Sequence, residues 1–464
     1  MSDVPHIAVV GGGITGLAAA RQLRRSSAGG VQPRVTLFES SDRLGGKIRS
    51  RVFAGATVDL GPEALFTATP EVPRLCNELG LSDELVAPLQ SSTAVWTRGR
   101  LRELPTGILG GLPNGVAPIV RSGILSPIGA ARAGVDLMLP KDSSEHDQSV
   151  GSLVRRRLGD QALERMIDPL LGGIYGGDPD ALSLRATAPR LHTLTREHRS
   201  LILGLVAAGR RTPPASGPMF MTLPGGLQRL ITSLRNDLGE AAVFEGEGVE
   251  RITTLSSGRH LLRTSAGREL VVDAVILAVP AGAAARMLRE SIPAAAAELS
   301  GISYASVVVV WLAFRASAVE LRPGTTGFLV PRSERKTLSA CTWASAKWPH
   351  LAVHRDRVFL RCSVGRNRPQ ATMLEDRTLV ADVVAELREV IGVLEDPIEA
   401  HVTRWQDALP QYNVGHLERI DRLEAALAHL PSIRLAGAAY RGLGVPQCIA
   451  QGEGAAKQIV SASC

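Results

Sequence analysis

The apolar run His6-Ile7-Ala8-Val9-Val10 ends directly on Gly11-Gly12-Gly13-Ile14-Thr15-Gly16. A glycine-rich turn in this setting leaves the chain few options. It closes a strand-turn-helix unit whose helix N-terminus faces an anionic group with free N–H donors and a partial positive charge. The helix shows in Leu17, Ala20 and Leu23, which share one face. Val35-Thr36-Leu37-Phe38 reads as the second strand and ends at Glu39. Gly11 permits the tight turn, Gly13 lets the backbone approach a pyrophosphate, and Gly16 lets the helix pack on the strand. Glu39 stands where a carboxylate accepts hydrogen bonds from ribose hydroxyls. These features predict an α/β dinucleotide-binding domain.

The next residues, Glu39-Ser40-Ser41-Asp42-Arg43-Leu44-Gly45-Gly46-Lys47, set a basic residue and a glycine pair just beyond the ribose acid. Two adjacent glycines allow a second close approach of backbone to phosphate. This extension resembles the second signature of FAD-dependent amine oxidases and their relatives. Nicotinamide dehydrogenases generally lack it, so the resemblance implies FAD rather than NAD.

At 464 residues the chain exceeds one simple core, and two or three lobes are expected. The cofactor domain is predicted to be discontinuous: 1–72, 222–290 and 405–464. A substrate domain takes 73–104, 182–221 and 291–404, and a helical lobe takes 105–181. Asp273 to Pro280 reads as a buried parallel strand, and Val307 to Phe314 as a strand covered on both faces. Arg98-Gly99-Arg100 marks a hairpin turn, and Gly151 to Leu171 reads as one helix ending at Gly172-Gly173. Thr212 to Pro218 reads as a link, and Lys141 to Gln148 as a polar loop.

The net charge is +7, but the basic residues are dispersed, with no block of five or six. That is a solvated basic surface rather than a nucleic-acid site, with some arginines available for an acidic substrate. The five cysteines, Cys76, Cys341, Cys362, Cys448 and Cys464, form no CxxC pair and have no accompanying histidine cluster. Free thiols in a reducing cytoplasm are expected, with no metal site. The first strand begins within about six residues, which leaves no room for a signal peptide. No apolar run of about eighteen residues predicts a membrane-spanning helix. The apolar loops after residue 105 allow at most a peripheral membrane contact.

Several further segments carry a more specific likeness. They are Asp168-Pro169-Leu170-Leu171-Gly172-Gly173-Ile174-Tyr175-Gly176-Gly177-Asp178, Glu197-His198-Arg199-Ser200-Leu201, Thr342-Trp343 and Lys347-Trp348-Pro349-His350. Pro410-Gln411-Tyr412-Asn413-Val414-Gly415-His416 and the stretch from Leu435 to Ile449 complete the set. Together with the N-terminal signatures they resemble the flavin-dependent porphyrinogen oxidases of haem biosynthesis, in particular the Gram-positive bacterial branch. The likeness spans nearly the whole chain.

The resemblance implies an FAD-binding Rossmann-like domain of the amine oxidase superfamily, a mixed-sheet substrate domain and a helical lobe. It places Gly11, Gly12, Gly13, Ile14, Thr15 and Gly16 at the pyrophosphate and Glu39 at the adenosine ribose. Ser40, Lys47 and the turn Gly61-Pro62-Glu63-Ala64 lie further along the cofactor, and Val249 meets the adenine through its backbone. Trp405 and Leu443-Gly444-Val445 fall near the isoalloxazine. The implied reaction is the six-electron oxidation of coproporphyrinogen III to coproporphyrin III, with dioxygen reoxidising the flavin to give hydrogen peroxide. Handover to a ferrochelatase is implied by the pathway. The alternatives are protoporphyrinogen IX as substrate, another FAD amine oxidase or desaturase of this fold, or a porphyrin-binding protein that carries FAD structurally. The substrate's propionates call for cationic partners. Candidates are Arg98, Arg100, Arg199 and Lys347, with Tyr175 as a pocket wall. The segment Leu65-Phe66-Thr67-Ala68-Thr69, where the family places propionate contacts, has no basic residue. No Ser/His/Asp arrangement or paired-carboxylate motif is present, so no catalytic base is assigned.

Overall fold

The structure is a computed structural model that describes residues 4–27, 31–90, 92–105, 108–109, 112–113, 116–141, 146–211, 217–239 and 241–462. Its first layer is a five-stranded parallel sheet. In spatial order the strands are Ala242–Glu245, Arg34–Glu39, His6–Val10, Ala274–Leu277 and Ile433–Leu435. Both faces are buried, which is why these strands read as unbroken apolar runs. The pleat sorts their side chains. Ile7, Val9, Leu37 and Ile276 enter one core with the helices Ile14–Arg25, Gln228–Asp237 and Val445–Ala462. Ala8, Val10, Phe38 and Leu277 enter the other core, with Ala281–Leu288, Pro293–Ser300, His416–Leu427 and a three-stranded antiparallel sheet.

The second layer is a seven-stranded mixed sheet. Its order is Glu399–Pro410, Tyr304–Arg315, Arg357–Val364, Leu338–Trp343, Gly327–Leu329, Ala94–Thr97 and Arg100–Glu103. Val309, Trp311, Ala313 and Phe359 pack from one face onto the hairpin Ser50–Phe53/Ala56–Asp59. Val308, Val310, Leu312 and Phe314 pack from the other face with the helix Asp376–Ile391. The expected double burial of this strand is therefore realised. Arg98 and Gly99 take φ values of 57° and 71° to turn the edge hairpin.

The helical lobe differs from expectation in two ways. The chain from Gly151 to Leu171 is not one helix: Val150–Leu158 stops at Gly159, whose φ is 88°. A Cβ there would lie 2.6 Å from Arg132 Cγ, so only glycine fits. After a wide turn at Leu163–Ile167, the helix Asp168–Tyr175 runs through Gly172-Gly173 and ends on left-handed Gly176. Leu184–Thr187, Pro189–Glu197 and Leu201–Arg211 share a core with Val150–Leu158, so residues 184–211 belong with this lobe rather than the substrate lobe. A buried Asp136 ties the lobe together. It accepts from Ser200 Oγ (2.6 Å) and the Ile202 N–H (2.9 Å), and pairs with Arg157 at 3.4 Å.

Two other boundaries move. Trp405 lies inside Glu399–Pro410, so the substrate sheet extends past 405. The helices Glu71–Glu78 and Pro293–Ser300 pack into the cofactor-domain cores through Val72, Leu75 and Cys76 and through Ala295 and Leu299. Most of the Thr212 to Pro218 link and half of the Lys141 to Gln148 loop lie outside the described residues, as does most of the apolar stretch after residue 105.

Candidate cofactor and substrate site

The glycine turn sits at the carboxyl end of the parallel strands. Gly11 has a φ of 106°, and a Cβ on it would meet Ala278 O at 2.5 Å. A Cβ on Gly16 would fall 1.8 Å from Gly11 O, so the helix rests directly on the turn. Gly13 differs, because nothing lies within 4 Å of the Cβ it lacks. Its open side is where a phosphate can approach backbone N–H groups. The second glycine pair lies alongside. Gly45 N–H donates to Gly12 O (2.9 Å), and a Cβ on Gly46 would be 3.4 Å from Gly13 Cα. Arg43, which sequence reasoning assigned no role, braces this pair from outside by donating to Gly46 O at 2.7 Å.

Glu39 reaches into the same place. Its Oε2 accepts from Gly12 N–H at 2.7 Å, and its Oε1 accepts from Ser41 N–H (2.8 Å) and Ser41 Oγ (2.7 Å). The chain before Val249 returns to this corner, since Glu247 N–H donates to Glu39 O (2.9 Å) and Gly246 N–H to Ser41 O (2.7 Å). Ser40 meets it, with Cβ 2.9 Å from the position a Gly248 Cβ would take. Val249 is buried at a bulge of its antiparallel pair. Glu39, Ser40 and Val249 are thus gathered at one end of the cradle.

The other end is built by three distant segments. Gly61 crosses so close to Lys47 that a Cβ would sit 1.9 Å from Lys47 O. Burial lowers the pKa of Lys47, and the facing Cys448 opposes that shift. The last helix, Val445–Ala462, packs on the first, and a Cβ on Gly452 would lie 2.2 Å from Thr15 O. Leu443-Gly444-Val445 forms its entry, with Cys448 N–H donating to Gly444 O at 3.0 Å. The loop before it is pinned by two residues. Tyr412 Oη donates to Ala438 O (2.6 Å) and accepts from Gly442 N–H (2.9 Å). His416 Nε2 bonds Tyr440 O at 2.8 Å, which fixes Nε2 as the protonated nitrogen. The two rings stack with centroids 4.1 Å apart. Burial lowers the His416 pKa, so this donor is neutral.

The turn leading into Gly61-Pro62-Glu63-Ala64 is stapled to the substrate sheet. Three consecutive carbonyls each accept from a different, adjacent strand. Trp311 Nε1 donates to Asp59 O (3.0 Å), Trp405 Nε1 to Leu60 O (2.8 Å) and Arg361 Nη2 to Gly61 O (2.9 Å). Trp405 therefore holds the turn that leads into this site. Nothing local in the sequence marks Trp311 or Arg361, because their partners lie 252 and 300 positions away.

The proposed substrate residues are only partly gathered. Tyr175 faces Tyr412, ring centroids 6.0 Å apart, which sets it beside the pinned loop. Burial pushes its pKa up to about 12. Lys347 is not a free anion anchor, because its Nζ lies 2.5 Å from Glu63 Oε1 and over the Trp348 ring. Arg98 donates to Gly123 O at 3.4 Å and Arg199 to Leu137 O at 2.7 Å, so the two are engaged at separate places on the helical lobe. Trp343 and Trp348 are buried in different cores and serve as packing. Past the turn, Phe66 and Phe220 meet edge to face at 5.4 Å, an apolar ledge with Met219 beside it. Among the described residues no cluster of His, Cys, Asp or Glu is arranged to hold a metal. No described helix is long and apolar enough to cross a membrane.

Comparison with known proteins agrees with this architecture. The family model for flavin-containing amine oxidoreductases matches residues 14–460. The coproporphyrinogen III oxidase of Bacillus subtilis (strain 168) is 36% identical, over 98% of this chain and 98% of its own. That of Propionibacterium freudenreichii is 35% identical, over 99% of this chain and 91% of its own. The crystal structure of a protein assigned as a protoporphyrinogen oxidase from Exiguobacterium sp. 255-15 superposes with a TM-score of 0.86 at 30% identity, covering 100% of both chains.

Proposed function

The chain belongs to the flavin-containing amine oxidoreductase family, and from that premise we propose that it is an FAD-dependent oxidase of coproporphyrinogen III in haem biosynthesis. The single observation that carries the substrate is the end-to-end likeness to the Bacillus subtilis enzyme at 36% identity. Bound FAD would supply two-electron oxidation in each of three rounds, with dioxygen as acceptor and hydrogen peroxide as product. The residues divide the remaining work. N–H groups of Gly11 to Gly16 and the Gly45-Gly46 pair hold the pyrophosphate, and Glu39 accepts from the ribose. Val249 meets the adenine through its backbone, with Ser40 beside it. Lys47, the Gly61-Pro62-Glu63-Ala64 turn and Leu443-Gly444-Val445 border the ring end, and Trp405 fixes that turn. Tyr175 walls the macrocycle. The oxidised product passes to a ferrochelatase in the cytoplasm.

A second reading takes protoporphyrinogen IX as substrate. The apolar ledge of Phe66, Phe220 and Met219 favours it, since it suits vinyl groups better than propionates. The test is porphyrin fluorescence in air with each porphyrinogen, with autoxidation subtracted. Faster turnover of the copro form supports the first reading and faster turnover of the proto form the second. Rates equal to autoxidation with both, on flavin-loaded protein, would refute the porphyrinogen assignment.

A further inference from the structure

At the Gly61-Pro62-Glu63-Ala64 turn lies a buried cluster of charged and polar groups, drawn from the turn itself and four further elements. Glu63 comes from the turn itself. Lys347 is on the short helix Ala344–Lys347, His350 on the short helix Pro349–Ala352, Arg361 on the strand Arg357–Val364, and Asp59 ends Ala56–Asp59. Glu63 Oε1 pairs with Lys347 at 2.5 Å, and Oε2 faces Arg361 Nε at 3.7 Å. Oε2, Arg361 Nε and His350 Nδ1 are all buried, and none has a hydrogen-bond partner. Asp59, Glu63 and His350 line a space the size of about one water, which suits the two lining residues that carry unsatisfied polar atoms, Glu63 and His350.

We propose that Glu63 is a positioning residue that sets the charge beside the flavin. Its carboxylate clamps two cations of the substrate lobe, Lys347 and Arg361, against the turn that borders the ring. This rests on the flavoprotein reading of the turn, and not on which substrate is oxidised. Arg361 is doubly committed, since it also donates to Gly61 O at 2.9 Å. The clamp therefore ties backbone geometry to local charge. Lys347, Arg361 and Glu63 together carry a net charge of +1. Burial opposes ionisation of Glu63, but Lys347 and Arg361 outweigh it and hold its pKa below the ordinary value.

The arithmetic orders three variants of the holoenzyme. Glu63→Gln leaves two unopposed cations, Lys347→Met leaves the pair neutral, and the double variant restores the net charge of the wild type. Extra positive charge favours the reduced flavin, which gains electron density. The measured quantity is the flavin two-electron midpoint potential, titrated without any porphyrinogen. Glu63→Gln is expected to raise the ratio of reduced to oxidised flavin about tenfold at fixed potential, or about 30 mV. Lys347→Met should lower it, and the double variant should return close to the wild type. In steady state, Glu63→Gln should change kcat more than KM. Equal potentials in all variants, or shifts of one sign in all of them, would overturn the proposal, the latter by showing general loosening. If Glu63→Gln does not fold, the Lys347→Met and double variants still decide. Failure of porphyrinogen turnover alone would count against the assigned substrate, because the potentials are read without it.

Discussion

Asp59 is a buried carboxylate whose ionisation costs stability, and replacing it with asparagine should strengthen the protein at neutral pH. Burial raises its pKa from 3.8 to about 6, against hydrogen bonds from Ser50 Oγ (2.6 Å) and Leu227 N–H (2.9 Å). Both bonds end on Oδ1, which an asparagine oxygen reproduces. Well below pH 3.8 the group is protonated, folded or unfolded, and contributes nothing to pH dependence. Between about 4 and 6 the unfolded chain ionises first, so stability falls as pH rises. Above about 6 the full difference is lost, a little over two pKa units, or about 3 kcal/mol. Asp59→Asn removes that loss. Urea unfolding of the flavin-loaded protein, followed by tryptophan fluorescence, should give matching midpoints near pH 4. By pH 7 the variant should lead by about 3 kcal/mol. Trp311 donates to the Asp59 carbonyl and so reports from the site. A variant weaker by a constant amount at every pH would refute the reasoning. It would mean that the carboxylate's bonds, and not its desolvation, dominate.

Other perturbations follow from single contacts. Gly61→Ala forces a Cβ to within 1.9 Å of the Lys47 carbonyl, and overpacking against backbone costs about 1–3 kcal/mol or more. The purified protein should show a reduced 450/280 nm absorbance ratio and a lower melting temperature. Glu39→Gln keeps the shape but removes a charged acceptor. FAD affinity should fall about 10- to 100-fold by fluorescence titration, with kcat recovered at saturating FAD. Arg157→Met strands Asp136, which is fully buried, and should destabilise the protein by about 3–5 kcal/mol, seen as early proteolysis within the helical lobe.

What could be read from the sequence was what is local and periodic. The first strand, its glycine turn, the helix and Glu39 lie within forty residues, and each rests on neighbours in the chain. The same holds for the Arg98-Gly99 hairpin and the buried strand at Val307 to Phe314. Pairings across the chain could not be read. Lys347 looked like a free cation because its partner Glu63 lies 284 positions away. Trp405 marked a domain edge only until the strand around it was seen to run on to Pro410. The break at Gly159 hid inside a helical pattern, since the apolar spacing continues beyond it and the steric reason, Arg132, sits on another helix. Arg98 and Arg199 stood out as basic residues near suggestive motifs, but spacing carries no information on which backbone carbonyls a long side chain will find.

The last helix closes on the first at Gly452 and Thr15, and this has a consequence for biogenesis. A ribosome makes the glycine turn more than four hundred residues before the last helix, which packs on the helix the turn starts. Until then the face of Ile14–Arg25 that meets Val445–Ala462 is uncovered and the edge strand Ile433–Leu435 is missing from the parallel sheet. A nascent chain therefore presents a nucleotide cradle that it cannot yet hold rigid. Firm cofactor capture is expected only once Val445–Ala462 has been made, so a chain cut before that helix should carry the binding motif but retain FAD poorly in a fluorescence titration.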